Sequence, residues 1–174
     1  MKNNKTEIKI REYTNSDKKR VEELFVNFED FLASIDNLKR LNRRRTLIKL
    51  QYGKVYLNNV NKLISEHKGV FYVAESNNKI IGFVIGLIYK PSKIQKIEVK
   101  RSWIRGDIAE LYLENAYRKK GVGKILIKKV EEYLIRNKCE YISISVLAPN
   151  KSARMFYEKL GYYERTLELI KEIK

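Results

Sequence analysis

The run Ile108-Ala109-Glu110-Leu111-Tyr112-Leu113-Glu114-Asn115-Ala116-Tyr117-Arg118-Lys119-Lys120-Gly121-Val122-Gly123-Lys124 constrains the fold more than any other stretch of the chain. An apolar, strand-like segment passes through a basic, glycine-containing turn into a helix-forming sequence. Gly121 and Gly123 have no Cβ, so the turn is free to take unusual dihedrals and a ligand can approach the main chain closely. The helix behind them opens with N–H groups that have no intrahelical acceptor, at the positive end of its dipole. Arg118, Lys119, Lys120 and Lys124 add formal charge around that opening. Together these features outline a phosphate site, although glycines flanked by lysines also occur in plain surface turns.

The flanking sequence supplies the context. Residues Asp107 to Glu114 read as a strand. The helix from Gly121 to Asn137 buries Val122, Leu126, Val130, Tyr133 and Leu134, with Ile125 and Ile127 widening the stripe. Tyr141 to Leu147 alternates as a second strand, so Asp107 to Leu147 is a strand–helix–strand unit whose crossover implies parallel pairing. Upstream, Glu7 to Tyr13 alternates as a strand. Asn15-Ser16-Asp17 offers an N-cap for a helix carrying Val21, Leu24, Phe25, Phe28, Phe31 and Leu32 on one face. Further helix is expected between Leu38 and Lys68. Gly69 to Glu75 and Ile80 to Tyr89, joined by a polar turn holding Asn77 and Asn78, read as an antiparallel hairpin. Downstream, a helix starting at Pro149-Asn150 stops at Gly161, and Tyr162 to Ile173 is expected to close the chain as a strand. The element order predicts an α+β fold: a mixed, mostly antiparallel sheet flanked by helices, with a central parallel strand–helix–strand unit.

Composition narrows the chemistry. A length of 174 residues, 44% apolar, with no linker or repeat, is expected to make one domain over residues 1–174. Apolar runs such as Phe83 to Tyr89 are too short to span a bilayer and no signal-peptide core is evident, so a soluble, cytoplasmic protein with no membrane partner is expected. The single cysteine, Cys139, excludes an intrachain disulfide and a thiolate metal cluster, and no metal is expected. The single histidine, His67, sits among Glu66, Lys68 and Gly69 at a helix end, which leaves carboxylates, tyrosines and lysines for acid–base work. A net charge of +16 attracts polyanions and disfavours polycationic acceptors if the pocket follows the whole. Its densest cluster, Arg40, Arg43, Arg44, Arg45 and Lys49, reads either as a solvated helix face or as a substrate or nucleic-acid contact, with nucleic acid the less favoured partner. Lys90 to Gly106 is a long polar connection that either frames an acceptor pocket or is pinned to the core by Trp103.

Two motifs in this order resemble the GCN5-related N-acetyltransferase (GNAT) superfamily. Arg118-Lys119-Lys120-Gly121-Val122-Gly123 is similar to the family's Arg-x-x-Gly-x-Gly/Ala loop. Asn150-Lys151-Ser152-Ala153-Arg154-Met155-Phe156-Tyr157-Glu158-Lys159-Leu160-Gly161-Tyr162 is similar to its Asn-x-x-Ala-x-x-x-Tyr-x-x-x-Gly-Phe segment. The resemblance is sharp over residues 107–163 and rests on element order before that. It implies an acetyl-CoA-dependent N-acetyltransferase acting on a primary amine, small molecule or protein. The alternative is a non-catalytic acyl-CoA-sensing or nucleic-acid-associated module on the same fold. In either case a homodimer is compatible with the chain.

Carried over residue by residue, the resemblance implies that the backbone of Leu111, Tyr112 and Leu113 meets the pantetheine arm. The loop Arg118, Lys119, Lys120, Gly121, Val122, Gly123 and Lys124 would hold the pyrophosphate. Asn150 contacts the cofactor, caps its helix, or does both. Glu110 is the candidate base and Tyr157 the candidate acid near the cofactor, against the plainer readings of a surface carboxylate and a core tyrosine. The family often has a proline two residues after the strand's last aliphatic; here Leu113 is followed by Glu114 and Asn115, which is expected to loosen the loop.

Overall fold

Asn77 and Asn78 both take positive φ, 49° and 60°, the conformation of a two-residue turn whose twist matches the strands it joins. They fold β2 (Val70–Ser76) back onto β3 (Lys79–Tyr89), with Ser76 opposite Lys79 across the turn. The computed structural model describes residues 7–37, 49–92 and 103–171. Around the hairpin these residues build one five-stranded sheet in chain order. β1 (Ile8–Glu12) pairs antiparallel with β2, β4 (Arg105–Leu113) antiparallel with β3, and β5 (Tyr141–Ile144) parallel with β4. The expected α+β architecture is therefore present, with its one parallel pair where the strand–helix–strand unit required it.

Helices cover both faces. α1 (Lys18–Ile35) and α2 (Lys49–Glu66) pack on one, where Val21, Leu24, Phe25, Leu57 and Val60 meet Phe71, Val73, Phe83, Ile85 and Leu87. α3 (Val122–Arg136) and the short α4 (Lys151–Glu158) pack on the other, with Leu126, Ile127, Val130 and Leu134 against Val84, Ile88 and Ile108. Every side chain of β3 from Ile80 to Ile88 is buried, which explains why that strand reads as a continuous apolar run rather than an alternating one. Before α1, the Thr14 N–H donates to Asp17 Oδ2 at 2.9 Å, and Arg11 donates to both oxygens of buried Asp17 at 2.7 and 2.8 Å and to Glu75 at 2.7 Å. The Arg11 guanidinium holds the Asp17 carboxyl below its ordinary range.

Three expectations are corrected. Tyr162 to Lys171 forms no strand: Leu167 and Leu169 are 77% and 85% exposed, and the alternating segment pairs with no strand among the described residues. Ile125 is half exposed on the outer side of α3 and does not widen its buried stripe. Trp103 is also partly exposed, its ring lying edge-on to Tyr141 at 6.2 Å rather than in the core. The basic residues Arg40, Arg43, Arg44 and Arg45 and the connection 93–102 lie outside the described residues. Among the described residues no helix is long and apolar enough to cross a membrane.

The seam between α1 and α2 is tight at Gly53, where a Cβ would run into the Glu22 carbonyl oxygen of α1. Helix propensity favours Gly53→Ala by about 1 kcal/mol, but the opposing atom is main chain and can yield only by separating the helices. Overpacking of this kind costs about 1–3 kcal/mol and should win. We therefore expect Gly53→Ala to lower the denaturant midpoint in chemical unfolding; a raised midpoint would show that the seam has slack.

Candidate active site

The β4–β5 ladder runs only from Arg105 opposite Tyr141 to Ile108 opposite Ile144, after which β4 continues to Leu113 without its neighbour. The strands part, and one edge of β4 is left unpaired. Which groups face the gap follows from the β3 side. Glu114 N–H donates to the Ile81 carbonyl at 2.9 Å, and antiparallel pairs alternate between bonded and non-bonded, so Tyr112 is bonded to Phe83 while Leu111 and Leu113 are not. The N–H and C=O of Leu111 and Leu113 therefore point into the gap. Those of Tyr112 are spent on β3, and its ring packs on the α1 side against Phe28 and Phe83.

At the end of the gap lies the loop. After a single 3-10 turn at Asn115–Tyr117, Lys119 and Gly121 take φ of 59° and 84°. Alternation of handedness along successive residues turns their N–H groups toward a common concavity. Gly121 is the N-cap of α3, and a Cβ there would meet nothing within 4 Å, so the loop's surface is open at that point. Among the described residues, the N–H groups of Lys119, Lys120 and Gly121 find no main-chain acceptor. Those of Val122, Gly123 and Lys124 form the first turn of α3, which has none within the helix. Lys119, Lys120 and Lys124 are exposed beside them.

Arg118 does something different. Its Nε donates to the Leu113 carbonyl at 2.8 Å, and its guanidinium lies 4.6 Å from the Phe31 ring centroid of α1 and 5.7 Å from that of Tyr112. It ties the loop to the strand end and to α1, with its charge spread over two aromatic faces. The loosening expected from the missing proline is also offset: Glu114 is ion-paired to Arg20 of α1 and lies 3.5 Å from Lys79 Nζ.

Glu110 and Tyr157 flank β4 from opposite faces. Ile85 pairs with Glu110 but Gly86 pairs with Ile108, so Ala109 is an extra residue in β4. This bulge places Ala109 and Glu110 on the α1–α2 face together, where strict alternation would have sent Glu110 to the α3 face. There Glu110 Oε1 accepts a hydrogen bond from the Tyr56 hydroxyl of α2. Burial pushes the Glu110 carboxyl up to about 7; the Tyr56 bond opposes the shift, and the charges of Glu29 and Asp107 add to it. On the other face Tyr157 is 7% exposed, its ring edge-on to Phe156 and Tyr162, and burial together with the Glu110 charge raises its hydroxyl well above the ordinary phenol value. Asn150 caps α4, its Oδ1 accepting the Ala153 N–H at 3.1 Å.

The structure thus gathers Glu110, Leu111, Leu113, the loop Lys119 to Lys124 and Tyr157 around one gap. Tyr112 contributes packing there, and Arg118 a brace. Sequence reading missed Tyr56, Tyr52 and Glu29. The i,i+4 spacing of Tyr52 and Tyr56 marks one helix face, but nothing local ties that face to a strand 54 positions away.

Comparison with known proteins follows the same outline. The family model described as "Acetyltransferase (GNAT) family" matches residues 35–162. An uncharacterized N-acetyltransferase of Methanocaldococcus jannaschii is 31% identical over 104 residues, covering 59% of this chain and 58% of that protein. N-alpha-acetyltransferase 30 of Xenopus laevis is 36% identical over 63 residues, covering 36% of this chain and 23% of that protein. The aligned part therefore spans less than two thirds of these relatives' own lengths. Among solved structures, the PaiA N-acetyltransferase from Thermoplasma acidophilum in complex with coenzyme A superposes with a TM-score of 0.70 at 20% identity, covering 93% of each chain. The aminoglycoside N-acetyltransferase AAC(6')-Iy in complex with CoA does so with a TM-score of 0.67 at 16% identity, covering 100% of this chain and 99% of that one. At these identities the superpositions establish a shared fold.

The raised Glu110 carboxyl has a measurable effect on stability. Its folded value of about 7 lies above the ordinary 4.5, so the unfolded chain ionises first and stability is lost as pH rises from about 4.5 through 7. Glu110→Gln removes that penalty. Relative to wild type, its stability should increase between pH 5 and pH 8 by an amount on the order of 1 kcal/mol for a group that retains some solvent, read as a growing difference in Tm. A Tm difference independent of pH across that window would contradict the buried carboxyl.

Proposed function

The chain belongs to the GNAT acetyltransferase family, and on that premise we propose that it transfers the acetyl group of acetyl-CoA to a primary amine by direct attack of the amine on the thioester. The observation that carries this reading is the gap beside β4, where unpaired main-chain groups, an N–H-lined loop, a carboxyl near neutrality and a buried phenol converge.

Acetyl-CoA as co-substrate fits the residues that border the gap. Leu111 and Leu113 offer strand-edge donors and acceptors to the amide-bearing pantetheine arm, as an added strand would use them. The N–H groups from Lys119 to Lys124 suit the pyrophosphate, with the lysine side chains supplying charge and Gly121 leaving the approach open. The complexes of the Thermoplasma and aminoglycoside acetyltransferases with coenzyme A support this assignment by fold. When bound, the thioester supplies an activated acetyl carbon and a sulfur leaving group.

The chain's own residues then have three tasks. An alkyl amine with a pKa of ~10.4 is mostly protonated near neutral pH, so a base must remove its proton before nitrogen can form the amide bond. Glu110, poised near 7, is that base. The Leu113 N–H, directed into the gap, donates to the carbonyl oxygen as charge develops there. As the carbon–sulfur bond breaks, Tyr157, kept as a neutral phenol by burial, donates to the departing sulfur. The second proton, lost by nitrogen as the amide forms, restores the Tyr157 hydroxyl through solvent, and Glu110 gives up the first to water, so the products are the acetylated amine, the free thiol and one proton. Asn150, by capping α4, holds the helix that carries Tyr157.

Thiol release from acetyl-CoA with a panel of primary amines tests the reading. Glu110→Gln should lower kcat/KM by about 10²–10⁴, with the loss greatest at low pH, and Tyr157→Phe should lower kcat. Gly123→Asp puts a carboxylate among the loop N–H groups and should abolish CoA binding by calorimetry. Undiminished activity in Glu110→Gln would remove Glu110 as base. Tight CoA binding without thiol release by wild type across the panel would favour a non-catalytic acyl-CoA module.

A further inference from the structure

The base is held by a residue that neither motif contains. Tyr56 lies on α2, and its ring is fixed on two sides: Tyr52 stacks on it at 5.3 Å and 24°, and the fully buried Phe25 of α1 meets it edge-on at 4.8 Å. Tyr52 is itself anchored, its hydroxyl donating to Glu29 Oε2 at 3.0 Å. At Gly53, between these two tyrosines, α2 lies so close to α1 that a Cβ would overlap the Glu22 carbonyl oxygen, which leaves α2 little freedom to slide there. The Tyr56 hydroxyl therefore occupies a set position, and the bulge at Ala109 turns Glu110 toward it.

We propose that Tyr56 is a positioning residue for the reaction: its hydroxyl holds Glu110 Oε1, fixes the carboxylate plane and leaves Oε2 as the proton acceptor for the incoming amine. The inference rests on the reading of Glu110 as base. Among the described residues Oε2 has no hydrogen-bond partner, while Oε1 is occupied. A single donor on one oxygen thus makes the two oxygens unequal, which a free glutamate's are not.

The same bond offsets part of the upward shift that burial gives the carboxyl. The groups that bear on Glu110 are Tyr56 from α2, Glu29 from α1, Asp107 from its own strand and Tyr157 from α4. Glu29 and Asp107 raise it, as burial does, while Tyr56 is the one hydrogen-bond donor that lowers it. Burial and the neighbouring carboxylates raise the Tyr56 hydroxyl far above its ordinary value, so it remains a donor throughout the working range.

Tyr56→Phe keeps the ring and its packing and deletes only the donor. With full-length protein, the Glu110 carboxyl is followed by carbon-13 NMR, and kcat/KM against pH is measured with the most active amine of the panel. We expect the Glu110 pKa and the acidic limb of the profile to move up together by about one unit, since a hydrogen bond to a charged group is worth roughly that much. We also expect kcat to fall about tenfold or more with CoA affinity unchanged, the range set by loss of a correctly oriented base. If Tyr56→Phe leaves the carboxyl titration and the pH limb where they are, while Glu110→Gln is inactive, the positioning role is wrong and the base assignment stands. If Glu110→Gln is fully active, the base assignment fails and this inference fails with it.

Discussion

The early end of the parallel ladder between β4 and β5 is the constraint on which the rest of the structure depends. Main-chain N–H and C=O groups in a protein interior have to find partners, and a strand that loses its neighbour halfway presents a row of them. The Leu113 carbonyl is met by Arg118. The other gap-facing groups of Leu111 and Leu113 stay available, and the loop that begins α3 adds its own unpaired N–H groups at the same end. Such an arrangement is kept open only because the surrounding elements are rigid. β3 supports β4 along its whole length, and Arg20, Lys79 and Glu114 fasten the far end of the strand to α1 and to β3.

Local charge at the site runs against the charge of the whole. The chain carries +16, yet the face that Glu110 shares with α1 and α2 holds Glu29 near it, and Asp107 lies three positions back along the strand. Bulk charge would disfavour a cationic acceptor; these carboxylates favour one at close range, where screening is weakest. Burial, like charge and a single phenolic donor compete at Glu110, and their balance leaves the carboxyl near neutrality rather than at either extreme.

Much of this was legible in the residues. The Asn77-Asn78 hairpin, the strand–helix–strand unit and the Asn150 cap each depend on chemistry within a few positions, and each formed where the sequence indicated. What escaped depends on contacts between distant segments. Alternation from Tyr162 onward satisfies the local rule for a strand, but a strand also needs an edge to pair with, and that is not a local property. Arg118 belongs by motif to the loop, but its side chain is claimed by Leu113 and by Phe31 of a helix far earlier in the chain. Tyr56 carries no motif at all; only the packing of α2 on α1 brings it to Glu110.

The extra residue at Ala109 has a consequence for how β4 tolerates change. It acts as a phase slip: even-numbered Ile108 faces α3, and beyond the slip odd-numbered Leu111 and Leu113 do so instead. The two halves of the strand are thereby uncoupled in parity, although Ile108, Leu111 and Leu113 all pack on the α3 side. Deleting Ala109 would restore uniform parity and leave Ile108, Glu110, Leu111 and Leu113 on the faces they now occupy, whereas a deletion at Leu111 that closed the bulge would carry Glu110 to the α3 face. The effect of a one-residue deletion in β4 thus depends on whether it takes out the extra residue or one of the residues whose facing the offset sets.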